Sequence, residues 1–150
     1  MTTDTFSHIL LPTSFDEPSQ RALNTAIALA QRLDASLTLL HVYQLPVYTY
    51  YGTVWPADFV ASVEAAARLQ LEQTLSIVQK QVRQARALLR QGVAWQEILA
   101  QISELGADMV VIGTHGRRGL SRALLGSVAE NVVRMSPVPV LTVRAAETEG

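Results

Sequence analysis

Residues 109–127 read MVVIGTHGRRGLSRALLGS, and the change of character inside that stretch decides the fold class. Met109 to Ile112 is a short, unbroken apolar run, as expected of a strand buried on both faces, and it leads straight into Gly113. Gly113 and Gly116 are separated by two residues, and Gly116 and Gly126 by nine. Glycines at the exit of a strand let backbone amides curl around an anion, as a phosphate cradle requires, and Arg117 and Arg118 add positive charge. Glycines after a strand also serve as plain turn residues, so the loop by itself leaves both readings open.

Moving outward, the rest of the chain alternates in the same way. His8 to Leu11 is an apolar run ended by Pro12, and Leu37 to Val42 is another. Between them, from Ser19, Ala22, Ile27, Ala30 and Leu33 recur at helical spacing. Tyr43 to Asp58 breaks the periodicity with two prolines and a glycine and reads as a long loop. Phe59 to about Gln84 lacks Gly and Pro and spaces its apolar residues as a long helix does. Ala85 to Arg90 either continues that helix or forms a strand; a right-handed crossover needs a parallel partner there, which favours the strand. Ala94 to Leu105 reads as a helix stopped by Gly106. A last helix lies between Ser127 and Met135, and Pro137 and Pro139 then force an extended segment into Val140 to Val143. Strand and helix alternating in this way predict an α/β fold: one doubly wound, mostly parallel sheet of five strands with helices on both faces. Ligands of such sheets bind outside the carboxyl ends of the strands, where the strand order reverses.

The 150 residues suffice for one domain and leave no room for a second. With 49% hydrophobic and 17% charged residues, a packed core is expected. The net charge of −1 gives no general attraction to nucleic acid or to an anionic membrane, so neither is expected as a partner. There is no cysteine, which excludes disulfides and thiolate chemistry. No apolar run approaches the ~20 residues that span a bilayer, and the first residues lack the basic start of a signal peptide, so the cytoplasm is the expected location.

The glycine loop fits neither G-x-x-x-x-G-K-[ST] nor G-x-G-x-x-G, and Lys80, the only lysine, lies on the long helix. Ser127 and Glu130 have capping-box spacing, which makes Ser127 the expected N-cap of the last helix. Helix N-termini also attract phosphate, so the Ser127 hydroxyl either caps its own helix or turns toward a terminal phosphate.

Taken together, the spacing G-x2-G-x9-G-S, the following SVAENVVRMSPVPVLTV (127–143), HILLPTSFDEPS (8–19) and LLHVY (39–43) resemble the ATP-binding members of the universal stress protein family nearly end to end. The resemblance implies the adenine nucleotide alpha hydrolase-like sheet, with strand order 3-2-1-4-5. It implies an adenine nucleotide, ATP with Mg²⁺, held by Gly113, Thr114, His115, Gly116, Arg117, Arg118 and Gly119 together with Gly126, Ser127 and Val128. Pro12, Thr13, Ser14 and Val42 would border the adenosine. Many ATP-binding members have aspartate where this chain has Ser14, which carries no charge; Asp16, two residues on, is the candidate substitute. A homodimer through antiparallel pairing of Val138 to Val143 is implied as well. The expected role is that of a nucleotide-responsive regulator or stress-response factor; the alternatives are a nucleotide-free dimeric module and a slow ATPase.

Other chemistry finds less support. His8, His41 and His115 have no metal-ligand spacing, and His115 is placed equally well for phosphate contact and for solvent. Tyr48, Tyr50, Tyr51 and Trp55 read as loop packing or subunit contact, since no basic patch accompanies them. The H-I-G-H and S-G-G-x-D-S elements of adenylyl-transferring relatives are absent. The acidic pair of a phospho-acceptor receiver is missing too, Thr13 and Ser14 following the first strand instead.

Overall fold

The computed structural model describes residues 5–45, 55–114 and 125–144. In them strands and helices alternate as β1 (His8–Pro12), α1 (Glu17–Leu33), β2 (Ser36–Tyr43), α2 (Ala57–Gln79), β3 (Ala85–Gln91), α3 (Ala94–Leu105), β4 (Met109–Thr114), α4 (Ser127–Met135) and β5 (Val140–Arg144). All pairings are parallel and the order is β3-β2-β1-β4-β5, as expected.

β1 lies at the centre, and its five residues are all buried. Side chains alternate across a strand, so Ile9 and Leu11 join one core and Leu10 the other. The first core is closed by α1 and α2 through Ala22, Ala26, Leu71 and Val78. The second is closed by α3 and α4 through Ile98, Ile102, Ala129 and Val132. This double burial is why β1 and β4 read as continuous apolar runs.

The ends of α2 and β4 differ from expectation, while the strand favoured from Ala85 is present. α2 ends at Gln79, not near Gln84, because Gln81 and Val82 both donate back to the Val78 carbonyl and the chain turns into β3. Ala85 then pairs with Leu37, which makes Ala85–Gln91 a strand. Leu33 is 40% exposed and lies off the packed face of α1, which is made by Ala22, Leu23, Ala26, Ile27 and Ala30. β4 continues through Gly113 to Thr114.

Gly113 fixes how α1 sits on the sheet. A Cβ there would overlap the Pro18 carbonyl and stand 3.0 Å from the Ser19 nitrogen, so the first turn of α1 rests directly on β4. At the opposite end of the sheet, Asp108 accepts from the Ser7 and His8 amides at 2.7 and 3.1 Å, tying the start of β1 to the start of β4. His8 is buried, with Nε2 2.7 Å from Thr38 Oγ1. Burial and then the nearby Arg86 charge lower its pKa from 6.5, against the Leu105 carbonyl and Asp108, which raise it.

Two outcomes follow. Gly113→Ala should cost about 1–3 kcal/mol, because backbone rather than a flexible side chain must move, and thermal unfolding should show a Tm lower by several degrees. The folded state resists protonation of His8 more than the unfolded chain does, so its contribution to stability is complete above pH 6.5 and falls as pH drops through and below that value. Melting curves at pH 7.5 and 5.5 should therefore show a smaller acid-induced loss for His8→Gln than for the unaltered chain.

Candidate functional site

A cleft of about 120 Å³ opens at the carboxyl ends of β1 and β4, between the strands where the order reverses. Its floor and walls are apolar: Leu40 and Val42 from β2, Ile98 from α3, and Ile112 from β4. Polar groups come from the turn after β1 and the start of α1, namely Thr13, Ser14, Asp16 and Ser19. Leu125, Val128 and Ala129 close the side toward α4.

The turn after β1 is held by a dense set of bonds. Thr13 N–H donates to the Leu40 carbonyl at 2.8 Å, extending the β1–β2 ladder by one residue. His41 Nδ1 lies 2.7 Å from the Thr13 carbonyl, which can only accept, so Nδ1 carries the proton. Phe15 adopts φ 64°, a costly conformation for an aromatic residue. Its amide donates to Thr13 Oγ1 at 3.1 Å and its ring packs 4.6 Å from that of His41. Ser14 N–H donates to Ser19 Oγ at 3.0 Å, and the two hydroxyls are 3.1 Å apart. The Ser14 hydroxyl, exposed at the mouth of the cleft, thus has a partner in the buried Ser19.

Of the three helix N-termini beside the cleft, that of α3 begins at Ala94 with Val93 as a cap that makes no side-chain bond, and those of α1 and α4 differ from each other. At α1 the Asp16 carboxylate is the N-cap and accepts from Ser19 N–H at 3.0 Å. Asp16 lines the cleft, with one oxygen engaged by its own helix. At α4 the N-cap is Gly126, at φ 88° and ψ 152°, and no side chain caps the helix. The expected capping box is not formed. Ser127 is already helical, Glu130 N–H donates to the Gly126 carbonyl at 2.9 Å, and the Glu130 side chain pairs with Arg134 at 3.0 Å. A cap must be non-helical while its carbonyl takes the first helical bond, and Gly126 satisfies both conditions. Among the described residues no side chain accepts from the first amides of α4, an arrangement that suits an anion.

Of the expected site residues, Pro12, Thr13, Ser14, Val42, Gly113 and Val128 line the cleft together. Gly126 and Ser127 stand beside it at the start of α4. Thr114 is buried and points its hydroxyl at the Val143 carbonyl, 3.4 Å away, within the sheet. His115, Gly116, Arg117, Arg118 and Gly119 lie outside the described residues, as do Tyr48, Tyr50 and Tyr51; Trp55 stacks on Phe59 at 4.7 Å. Leu40, Ala94, Ile98, Ile112 and Ala129 were not anticipated. Ala94, at the start of the helix after β3, was open to inference from the rule that loops after parallel strands gather at one edge. Among the described residues no group of three or more His, Asp or Glu is placed to hold a metal ion, and His8 and His41 lie toward opposite ends of the strands. No helix among them is long and apolar enough to cross a membrane.

Comparison with known proteins agrees with this architecture. A profile described as "Universal stress protein family" matches residues 5–144. The universal stress protein YxiE of Bacillus subtilis is 31% identical over 147 residues, covering 93% of this chain and 99% of that protein. The universal stress protein UspA from Lactobacillus plantarum superposes with a TM-score of 0.78 at 26% identity, over 95% of this chain and 100% of that one. A family protein from Arabidopsis thaliana with AMP bound shares the fold, with a TM-score of 0.66 at 21% identity over 94% and 93% of the two chains. By the match along almost its whole length, the chain belongs to the universal stress protein family.

Proposed function

We propose that the chain binds an adenine nucleotide, ATP with Mg²⁺, in the cleft between β1 and β4 and acts in the cytoplasm as a nucleotide-responsive regulator. The observation that carries this reading is the pairing of an apolar slot with the first amides of α4, which no side chain among the described residues caps. The slot, about 120 Å³, is smaller than the usual ~300–1,000 Å³ of a small-molecule pocket. It suits the flat base against Leu40, Val42 and Ile98, with the phosphates outside along the start of α4. Asp16 is the one charged residue among the described residues of the lining, and its carboxylate already caps α1. Mg²⁺ would then be held chiefly by phosphate oxygens and water, as is usual for this ion. The AMP-bound relative supports an adenine nucleotide as the ligand class. Nothing in the described cleft is poised as a general base, so hydrolysis would run far below the median enzyme turnover of about 10 s⁻¹.

A homodimer through β5 is part of the proposal, and the two sheet edges support it by their difference. The β3 edge carries Arg86 and Arg90, charges that discourage strand addition. The β5 edge reads VLTVR, free of charge up to Arg144, with Leu141 40% exposed.

Calorimetric titration of nucleotide-stripped protein with ATP and Mg²⁺ should give saturable binding. Val42→Trp, which fills the slot, should weaken it at least about tenfold, or 1.4 kcal/mol. Ser14→Asp, which supplies the carboxylate of ATP-binding relatives, should tighten it. Absence of binding to the unaltered chain would discard the nucleotide reading in favour of a nucleotide-free module. Sedimentation should give a dimer at micromolar concentration that Leu141→Lys dissociates; a monomer in the unaltered chain would refute pairing through β5.

A further inference from the structure

Helix α2 runs for 23 residues, about 35 Å, yet only Leu71 and Val78 of it are buried. With Leu75, they pack toward the sheet at β2 and β3. The opposite side carries Phe59, Leu69 and Ile77, 39%, 57% and 61% exposed. Three large apolar groups are thus exposed along the outer side of one helix.

Two charges lie symmetrically about Leu69. Asp58 lies eleven residues before Leu69 and Lys80 eleven residues after it. Eleven residues make three turns plus about 20°, so the three side chains leave the helix along nearly one line. Phe59 and Ile77 lie together on one flank of that line, with the small Ser62 and Ala66 and the exposed Gln70 and Gln73 between them.

We propose that this face pairs with the same face of a second copy of the chain, two α2 helices running antiparallel across a two-fold axis at Leu69. Asp58 then meets the partner's Lys80, and the reciprocal pair forms at the other end, as a two-fold contact requires. Phe59 comes to lie beside the partner's Ile77, and Leu69 packs on its own symmetry mate. A parallel arrangement would set Asp58 against Asp58 and Lys80 against Lys80, so charge selects the antiparallel one. Glu64 and Arg68 are already paired with each other at 3.0 Å and add no net charge between them. A single helix face is small beside the ~1,200–2,000 Å² of a stable interface, so the contact is weak and concentration-dependent. It leaves β5 free, because α2 covers β2 and β3 at the other side of the sheet.

The chain contains no cysteine, so Leu69→Cys places a single thiol on the proposed axis. Under mild oxidation of concentrated protein, non-reducing denaturing gels should show disulfide dimers forming at least about tenfold faster than in Asn24→Cys, a control on the exposed side of α1. Adding Asp58→Lys to Leu69→Cys should bring the rate down to the control. Adding Lys80→Asp as well should recover most of it, with circular dichroism unchanged throughout. Equal rates for Leu69→Cys and Asn24→Cys, or a rate indifferent to both charge changes, would overturn the proposal. The covalent readout does not depend on whether β5 also pairs or a nucleotide binds.

Discussion

Gly113 has no side chain, and the Pro18 carbonyl lies where one would be. That contact lets the first turn of α1 press on β4, a strand separated from it by most of the sequence. With α1 in place, the short connection from β1 must turn sharply, which brings Phe15 to φ 64°. Such a conformation persists only where neighbours over-determine it, and the bonds among Thr13, Ser14, Ser19 and His41 do so. The cleft is the space these constraints leave between the two strand ends. A glycine that looks suited to admitting an anion is thus used first to admit the chain's own backbone.

The same local economy divides the electrostatics of the cleft. A helix N-terminus presents unpaired amides and a partial positive charge, and α1 and α4 both begin beside this space. Asp16 satisfies the first of them from within the chain. Gly126 supplies backbone geometry at the second and brings no acceptor. Among the described residues, therefore, one side of the cleft is internally neutralised while the other offers amides to negative charge, a difference that gives any bound ligand a direction.

Surface features divide along the sheet as well. β3 protects its edge with arginines, and α2 above that side exposes apolar residues between an acid and a lysine. β5 at the far edge has neither protection until its last residue. Opposite sides of one small domain thus carry contact chemistries of different kind among the described residues: an edge strand at β5 and a helical face at α2.

The sequence by itself determined the alternation of strands and helices outside residues 85–90, the stop at Gly106, and Gly113 at the exit of a strand, while the family resemblance supplied Pro12, Thr13, Ser14, Val42 and Val128. The alternation was legible because burial on one or two faces imposes a local period, and the place of Gly113 because parallel strands send their carboxyl ends to a common edge. Tertiary structure alone decided the rest. By pattern alone residues 85–90 fit a helix as well as a strand; crossover topology favoured the strand, and the turn at Val78 followed by the pairing of Ala85 with Leu37 forms it without any breaker. Ala94, Ile98 and Ile112 reach the cleft because α3 and β4 are brought against β1 and β2 by contacts between residues far apart in sequence. Whether Ser127 or Gly126 caps α4 turns on backbone dihedrals that the S-x-x-E spacing does not encode. Periodicity records which side of an element is buried; it does not record what that side is buried against.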